Sequence, residues 1–382
     1  MQALKKVGAF FKKERMLTLS LLAAVVGCIL TPPTVERLAA LDWRTLGTLL
    51  MMLCVLEGFK QENVLRPIVA LASRLKTMPV LTLFLVFGVF FTSMFVTNDV
   101  SLIIFVPLTI LLFRTGGKEK YILPVLTFQN IAAIRGSLLM PFGSPQNLFL
   151  FGQADVSVWQ FMGHMLPLAA MSAVLLVVFV LVLFRKNLKE PITSDAAVTP
   201  WEPSRRKQRI TYLSLFVLLL LVIVTRTTYW WAALPVVLVA IAIVDRRLFL
   251  KVDYVLILTF FCFFLFSSSI ANNPVVADWL RQWVAGWEYW WAIGLSQVIS
   301  NVPASIVLYP FSDNFAGLIY GADTAGLCSL IGSLASVINY RIYVREYPQG
   351  GKAFVITFTL ISWAFFLLVV MPGFWLSYWP FF

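Results

Sequence analysis

The chain has 382 residues, 60% of them hydrophobic and 13% charged, with a formal net charge of +12. A soluble domain carries roughly 25% charged residues, so this composition excludes an ordinary soluble protein. The basic excess is scattered through short loops between apolar segments, which reads as a membrane-topology signal and excludes a nucleic-acid surface.

The first apolar segment, 16–30, follows Lys5, Lys6, Lys12, Lys13 and Arg15, so the N-terminus is expected in the cytoplasm. Thr31-Pro32-Pro33 follows it where a cleavage site would need small residues, so it reads as a spanning helix within a unit 1–40. Segment 41–59 returns, opened by Asp42, and Lys60, Arg66, Arg74 and Lys76 mark the inner side. Segment 80–113 has basic loops at both ends and a polar centre, Thr97-Asn98-Asp99. It is therefore expected to be a re-entrant hairpin with those residues at its tip. Polar interruptions at membrane depth are tolerated only where backbone is buried in protein or lines a cavity.

Segment 121–151 crosses outward and is broken at Pro141-Phe142-Gly143-Ser144-Pro145-Gln146-Asn147, because two prolines and a glycine end a helix. Segment 158–184 returns to a basic loop, 185–209, which holds Pro191, Pro200 and Pro203 and reads as the cytoplasmic linker. Beyond it, 210–225 goes out, 229–244 comes in, and 253–270 goes out from Asp253. A second hairpin, 285–322, carries Ser300-Asn301-Val302-Pro303 at its centre. Its flanks 271–288 and 312–323 have few basic residues, so it should enter from outside. Segment 324–340 crosses inward with a weaker break at Gly332-Ser333, and 353–382 is a last spanning helix that leaves the C-terminus outside. This path puts most of the 30 Lys and Arg inside. Arg37, Arg44, Arg226 and Arg281 fall outside, and Arg135 falls within a membrane segment.

The expected fold is thus an all-α polytopic membrane protein with two inverted-topology repeats, 41–184 and 210–352. Each repeat has a re-entrant hairpin (80–113, 285–322) and a broken helix (121–151, 324–340). Asp42 matches Asp253, Asn98 matches Asn301 and Gly143 matches Gly332 in order and chemistry. Interrupted segments at matching places in two halves point to a transporter's binding site. Freed N–H groups at helix N-termini suit anions, while freed carbonyls and Asn or Ser oxygens suit sodium or a proton relay. The candidate substrate ligands are Thr97, Asn98, Asp99, Arg135, Ser144, Gln146, Asn147, Ser300 and Asn301. The candidate coupling-ion residues are Asn98, Asp99, Gly143, Asn301, Gly332 and Ser333. Asp99 and Arg135 could pair with each other. Alternatively Arg135 binds an anion while Asp99 carries a proton or holds the Asn98 loop. His164 reads as packed or interface-facing, Glu57 as interfacial, and Cys28, Cys54, Cys262 and Cys328 as free apolar-site thiols.

These residues carry a family resemblance. The order is an Asp-Trp-started helix, Thr97-Asn98-Asp99 with Pro107 after it, Gly143-Ser144-Pro145-Gln146-Asn147, Ser296 through Pro303, and Gly332 through Ala335. The chain resembles the ion transporter superfamily of citrate transporters, divalent anion/sodium symporters, arsenite permeases and some sodium/proton antiporters. It looks closest to a branch of bacterial inner-membrane anion permeases. The resemblance implies a homodimer with a scaffold and a moving transport part in each protomer. It also implies Ser-Asn-Thr tips that hold substrate carboxylates. Here both asparagines are kept and both third hydroxyls are missing, which argues against a dicarboxylate or citrate. Relatives have a small residue where Arg135 stands, so a fixed guanidinium could replace a coupling cation.

The reading is a secondary transporter of a small anion, coupled to sodium or protons and needing no other cofactor, in the bacterial inner membrane. A sodium/proton antiporter or an arsenite-type efflux permease is the alternative. A membrane enzyme is disfavoured, because there is one histidine and no paired acids within a segment. A channel is disfavoured by the paired hairpins.

Overall fold

The computed structural model describes residues 14–64, 71–72, 75–192 and 205–379. Lys5, Lys6, Lys12, Lys13, Arg66, Arg74, Pro200 and Pro203 lie outside the described residues. Those described form helices and no strand, and the four cysteines are free.

The first half contains α1 (Arg15–Leu30), the short α2 (Val35–Ala39), α3 (Trp43–Gln61), α4 (Met78–Val96), α5 (Asn98–Thr115), α6 (Ile122–Ser137), α7 (Pro145–Gln153) and α8 (Val158–Leu183). The second contains α9 (Arg206–Val224), α10 (Trp230–Asp245), α11 (Tyr254–Ala271), α12 (Pro274–Val284), α13 (Glu288–Ile299), α14 (Asn301–Leu308), α15 (Phe315–Ala325), α16 (Leu334–Glu346) and α17 (Gly351–Ser377). Six of these (α4, α5, α8, α9, α11 and α17) are long and apolar enough to cross a membrane. The protein is an all-α polytopic membrane protein.

Polar residues decide where helices start. Asp42 accepts the Thr45 amide at 2.9 Å, and Asp253 accepts the Leu256 amide at 3.1 Å. These two caps share one backbone conformation, φ/ψ −74°/71° and −80°/79°. Ser144 and Asn314 cap α7 and α15 in the same way. Ser157 and Gln160 form a reciprocal capping box on α8.

The centre of the molecule is built from α6 and α15. All residues from Val125 to Ser137 and from Ala316 to Ala325 are buried. Each of these helices packs against the first arm of its hairpin, α4 against α6 and α13 against α15. Glycines permit the approach. A Cβ on Gly136 would run into the Phe90 carbonyl, and one on Gly321 into the Tyr289 carbonyl. The following half-helices cross over: α16 packs on α5, and α7 packs on α14. The four-part arrangement of two hairpins and two interrupted helices therefore interlocks.

One segment differs from its sequence expectation. Residues 312–323 were expected as an outer loop, yet Phe315–Ala325 is a buried half-helix and the break follows it at 326–333. The loop reading rested on the lack of Lys and Arg. Burial among small and apolar side chains, behind the Asn314 cap, is what decides the structure there.

The start of the linker is strapped to the base of the first hairpin. The Met78 amide donates to the Glu190 carbonyl at 2.8 Å, and the Ile192 amide to the Lys76 carbonyl at 3.0 Å. The Glu190 carboxylate accepts Lys118 at 2.8 Å and the Tyr121 hydroxyl at 2.6 Å. The Lys118 bond, then the Tyr121 bond, holds this carboxyl below its usual range. A lowered native value stabilises the fold above the unfolded value, about pH 4.3, and that contribution disappears as pH falls through the native one. The melting temperature of wild type should exceed that of Glu190→Gln at neutral pH, and the gap should close below about pH 4. A second prediction concerns packing. Gly136→Ala should cost about 1–3 kcal/mol by overpacking, whereas Gly163→Ala, with open space around the added Cβ, should melt like wild type.

Candidate functional site

Both hairpin tips turn on a non-glycine residue in the same unusual conformation. Thr97 has φ/ψ 69°/157° and Ser300 has 69°/160°. Positive φ is uncommon outside glycine and concentrates at functional sites. Asn98 and Asn301 are then the first residues of α5 and α14. At the first tip the Asp99 amide donates to Asn98 Oδ1 at 3.0 Å, and the Ser101 hydroxyl to the Thr97 carbonyl at 3.0 Å. At the second tip the Asn301 amide donates to the Gly332 carbonyl at 3.2 Å, joining hairpin and break.

The breaks are closed by side chains. Asn147 Nδ2 donates to the Ser137 carbonyl at 3.1 Å and the Leu138 carbonyl at 3.4 Å. Gln297, which sequence reasoning did not assign to the site, donates to the Ala325 carbonyl at 3.1 Å and accepts Ser329 at 2.6 Å. Gly143 and Gly332 are both required by close approach, since an added Cβ would strike the carbonyl of Ser137 or Ala325 respectively. Those two carbonyls end α6 and α15.

Arg135 pairs with Asp323, not with Asp99, and also donates to the Thr324 hydroxyl at 3.3 Å. The side chains of Arg135 and Asp323 are 0% and 2% exposed. Each lies two residues before the end of its half-helix, so the pair ties α6 to α15 beside both breaks. A cation is favoured near a helix C-terminus and an anion is not. Asp323 thus depends on Arg135 for its charge to be tolerated. Two further bonds cross between α6 and α16, Asn130 to Ser336 at 3.0 Å and Asn339 to the Leu126 carbonyl at 2.7 Å.

A cavity of about 210 Å³ opens between the first tip, the two breaks and the Asp-capped helices. Its lining includes Thr97, Asp99, Pro145, Leu334, Lys60 and Asp253. Asp99 Oδ1 is buried with no hydrogen-bond partner among the described residues. Lys60 pairs with Glu57 at 3.1 Å, and Lys251 donates to Gln61 at 3.2 Å; Glu57 and Lys251 also line the cavity. The end of α3 therefore lies beside the start of α11, and these two Asp-capped helices run in opposite directions. Of the expected site residues, Thr97 and Asp99 line the cavity, while Asn98, Arg135, Gly143, Ser144, Gln146, Asn147, Ser300, Asn301, Gly332 and Ser333 do not. Gln146 and Asn147 are buried on α7. His164 is packed as expected, 3.2 Å from the Tyr320 hydroxyl and 3.1 Å from the Trp379 carbonyl. Among the described residues no cluster of His, Cys, Asp and Glu could hold a metal ion.

The sequence model of the citrate transporter family matches residues 9–317. The chain belongs to this family. It is 29% identical over 350 residues to "Inner membrane protein YbiR" of Escherichia coli, covering 88% of this chain and 90% of that protein. It is 28% identical over 341 residues to "Uncharacterized transporter MJ0456" of Methanocaldococcus jannaschii, with the same coverage. The protein is a multi-pass membrane transporter, working in a lipid bilayer on a substrate it carries across.

The Arg135–Asp323 pair yields a stability prediction. Asp323→Asn leaves a buried guanidinium without its counter-charge and should cost about 3–5 kcal/mol. The double variant Arg135→Met/Asp323→Leu should recover most of that loss, because apolar replacement of a whole buried pair is often neutral or stabilising. Melting of the purified variants in detergent measures both.

Proposed function

We propose that the protein is a secondary active transporter of a small anion, a carboxylate or an inorganic oxyanion, working by alternating access in a bacterial inner membrane. The observation that carries this reading is the 210 Å³ cavity, where the Thr97–Asp99 tip meets the starts of α7 and α16 under Lys60 and Lys251. Two half-helices beginning at one cavity bring the partial positive charge of their N-terminal ends to it, which suits an anion. Residues 41–184 and 210–352 act as inverted repeats, supported by the matched Asp42/Asp253 and Thr97/Ser300 conformations and the opposed directions of α3 and α11. The N-terminus lies in the cytoplasm and the C-terminus outside, and two copies assemble as a homodimer.

Asp99 carries the coupling proton. The cavity holds Glu57, Asp99 and Asp253 against Lys60 and Lys251. An incoming anion meets a net negative wall while Asp99 is ionised and a balanced one once it is protonated. A carboxylate at membrane depth is tolerated when it is paired or neutral, and Asp99 Oδ1 has no hydrogen-bond partner among the described residues. Sodium is not required in this reading, because the Arg135 guanidinium stands beside both breaks and already matches the Asp323 charge there, leaving no unpaired carboxylate at the breaks for sodium to balance. A sodium/proton antiporter is the second reading, favoured by the same unpaired Asp99.

Thermal stabilisation by a panel of anions, with and without sodium at two pH values, tests this. A ligand at a hundredfold excess over Kd raises stability by about 2.7 kcal/mol. One anion class should stabilise the protein more at the lower pH and equally without sodium, and Asp99→Asn should remove the pH dependence. Response to sodium and pH with no anion effect would replace this reading with the antiporter.

A further inference from the structure

Asp42 and Asp253 cap the two opposite ends of the α3–α11 pair, and these two ends of the cleft along it are not in the same condition. At the Asp42 end, Asp42 Oδ2 accepts the Gln153 side-chain amide at 2.7 Å as well as the Thr45 hydroxyl at 2.5 Å. Gln153 is the last residue of α7. Arg226, in the turn after α9, donates Nη2 to the Ala154 carbonyl at 2.5 Å and also to the Phe151 carbonyl. Its guanidinium lies 4.1 Å over the Phe151 ring. Terminal helix carbonyls lack partners within their own helix, and here an arginine from another part of the chain supplies them. The space left among Asp42, Thr45, Gly152 and Arg226 is about 30 Å³, roughly one water molecule.

At the opposite end Asp253 accepts the Leu256 amide and no other hydrogen bond among the described residues. It faces the 210 Å³ cavity together with Leu334 and Ile338 of α16, the helix that corresponds to α7. Arg341 falls within one position of the place on α16 that Gln153 occupies on α7, counted from the cap serines Ser333 and Ser144. Arg341 is exposed and has no ion-pair partner among the described residues. Equivalent capping aspartates are thus clasped at one end and free at the other.

We propose that Asp42, Gln153 and Arg226 form a latch that holds the Asp42 end of the cleft shut, and that Asp253 and Arg341 close as its counterpart when the latch opens. The proposal rests on the alternating-access reading, since it assigns positioning residues to that cycle. It explains why a cap needs a carboxylate at both places. One oxygen serves the helix start, which an Asn or Ser could also do, and the other is left to grip a partner across the cleft. Arg226 is suited to its role because one guanidinium nitrogen meets two carbonyls while the planar group lies over the Phe151 ring, a stacking that a lysine does not reproduce.

Cross-linking reads the latch directly. With the four native cysteines replaced by alanine, Thr45→Cys/Gly152→Cys reports closure of the Asp42 end, because a Cβ added at Gly152 lies 3.6 Å from Thr45 Oγ1. Leu256→Cys/Ile338→Cys, which line the cavity beside Asp253 and leave Asp253 and Arg341 in place, reports closure of the other end. Diamide should link the first pair readily. Adding Arg226→Ala removes two charge-assisted hydrogen bonds and should slow that linkage at least about tenfold, the shift expected for one of them alone, and should speed linkage of the second pair. Gln153→Ala and the milder Arg226→Lys should move both rates the same way, which covers a poorly folding Arg226→Ala. Unchanged rates at both pairs would overturn the latch. So would slowing at the first pair with no gain at the second, which marks local fraying. Neither rate needs a substrate. A panel in which no anion binds, with the reciprocal cross-linking intact, would remove the anion assignment and leave the latch standing.

Discussion

Every peptide group inside a bilayer has to find a hydrogen-bond partner within the protein, and an interrupted helix violates that rule at its break. The structure meets the violation twice. Asn147 reaches back from α7 to the carbonyls that end α6, and Gln297 reaches from the second hairpin to the carbonyl that ends α15. The first break is closed from within its own helix and the second from its hairpin. The glycines beside them lie so close to the terminal carbonyls that no side chain fits. Polar backbone is thereby kept at the centre of an apolar molecule at low cost, where it can meet a substrate.

The same economy governs charge. Arg135 and Asp323 are the buried pair that joins α6 to α15, and neither is tolerable alone at that depth. Asp99 differs, with an oxygen that no group among the described residues satisfies, facing a cavity with mixed charge around it. A contrast between a fully neutralised pair and a lone carboxylate separates a structural role from a working one.

The sequence carried the local features well because the physics there is local. Caps at Asp42 and Asp253 and close approach at Gly143 and Gly332 each demand particular residue types. Thr97, Ser300 and their asparagines were legible as polar residues at the centres of apolar segments, while the positive φ at Thr97 and Ser300 left no mark in the sequence. What was not legible depends on distant partners. Asp323 was read within an outer loop because charge rules count Lys and Arg, and Phe315–Ala325 has neither. Its tie to Arg135 spans 188 positions and leaves no mark in either neighbourhood. Gln297 belongs to a motif whose resemblance was plain, yet its bond to the break requires the two helices to be packed together. The matched offset of Arg135 and Asp323, two residues before the ends of α6 and α15, depends on where those helices stop; the break glycines do not reveal it, because Arg135 lies eight residues before Gly143 and Asp323 nine before Gly332.

The central claim is that anion movement and proton movement are one event at the Thr97–Asp99 tip. Proteoliposomes with a pH-reporting dye inside and an anion gradient across the membrane measure it most directly. Lumenal pH should change only when the anion that stabilises the protein is present. The change should persist without sodium and vanish in Asp99→Asn. Proton flux driven by sodium with no anion on either side, or anion flux unaltered in Asp99→Asn, would contradict it.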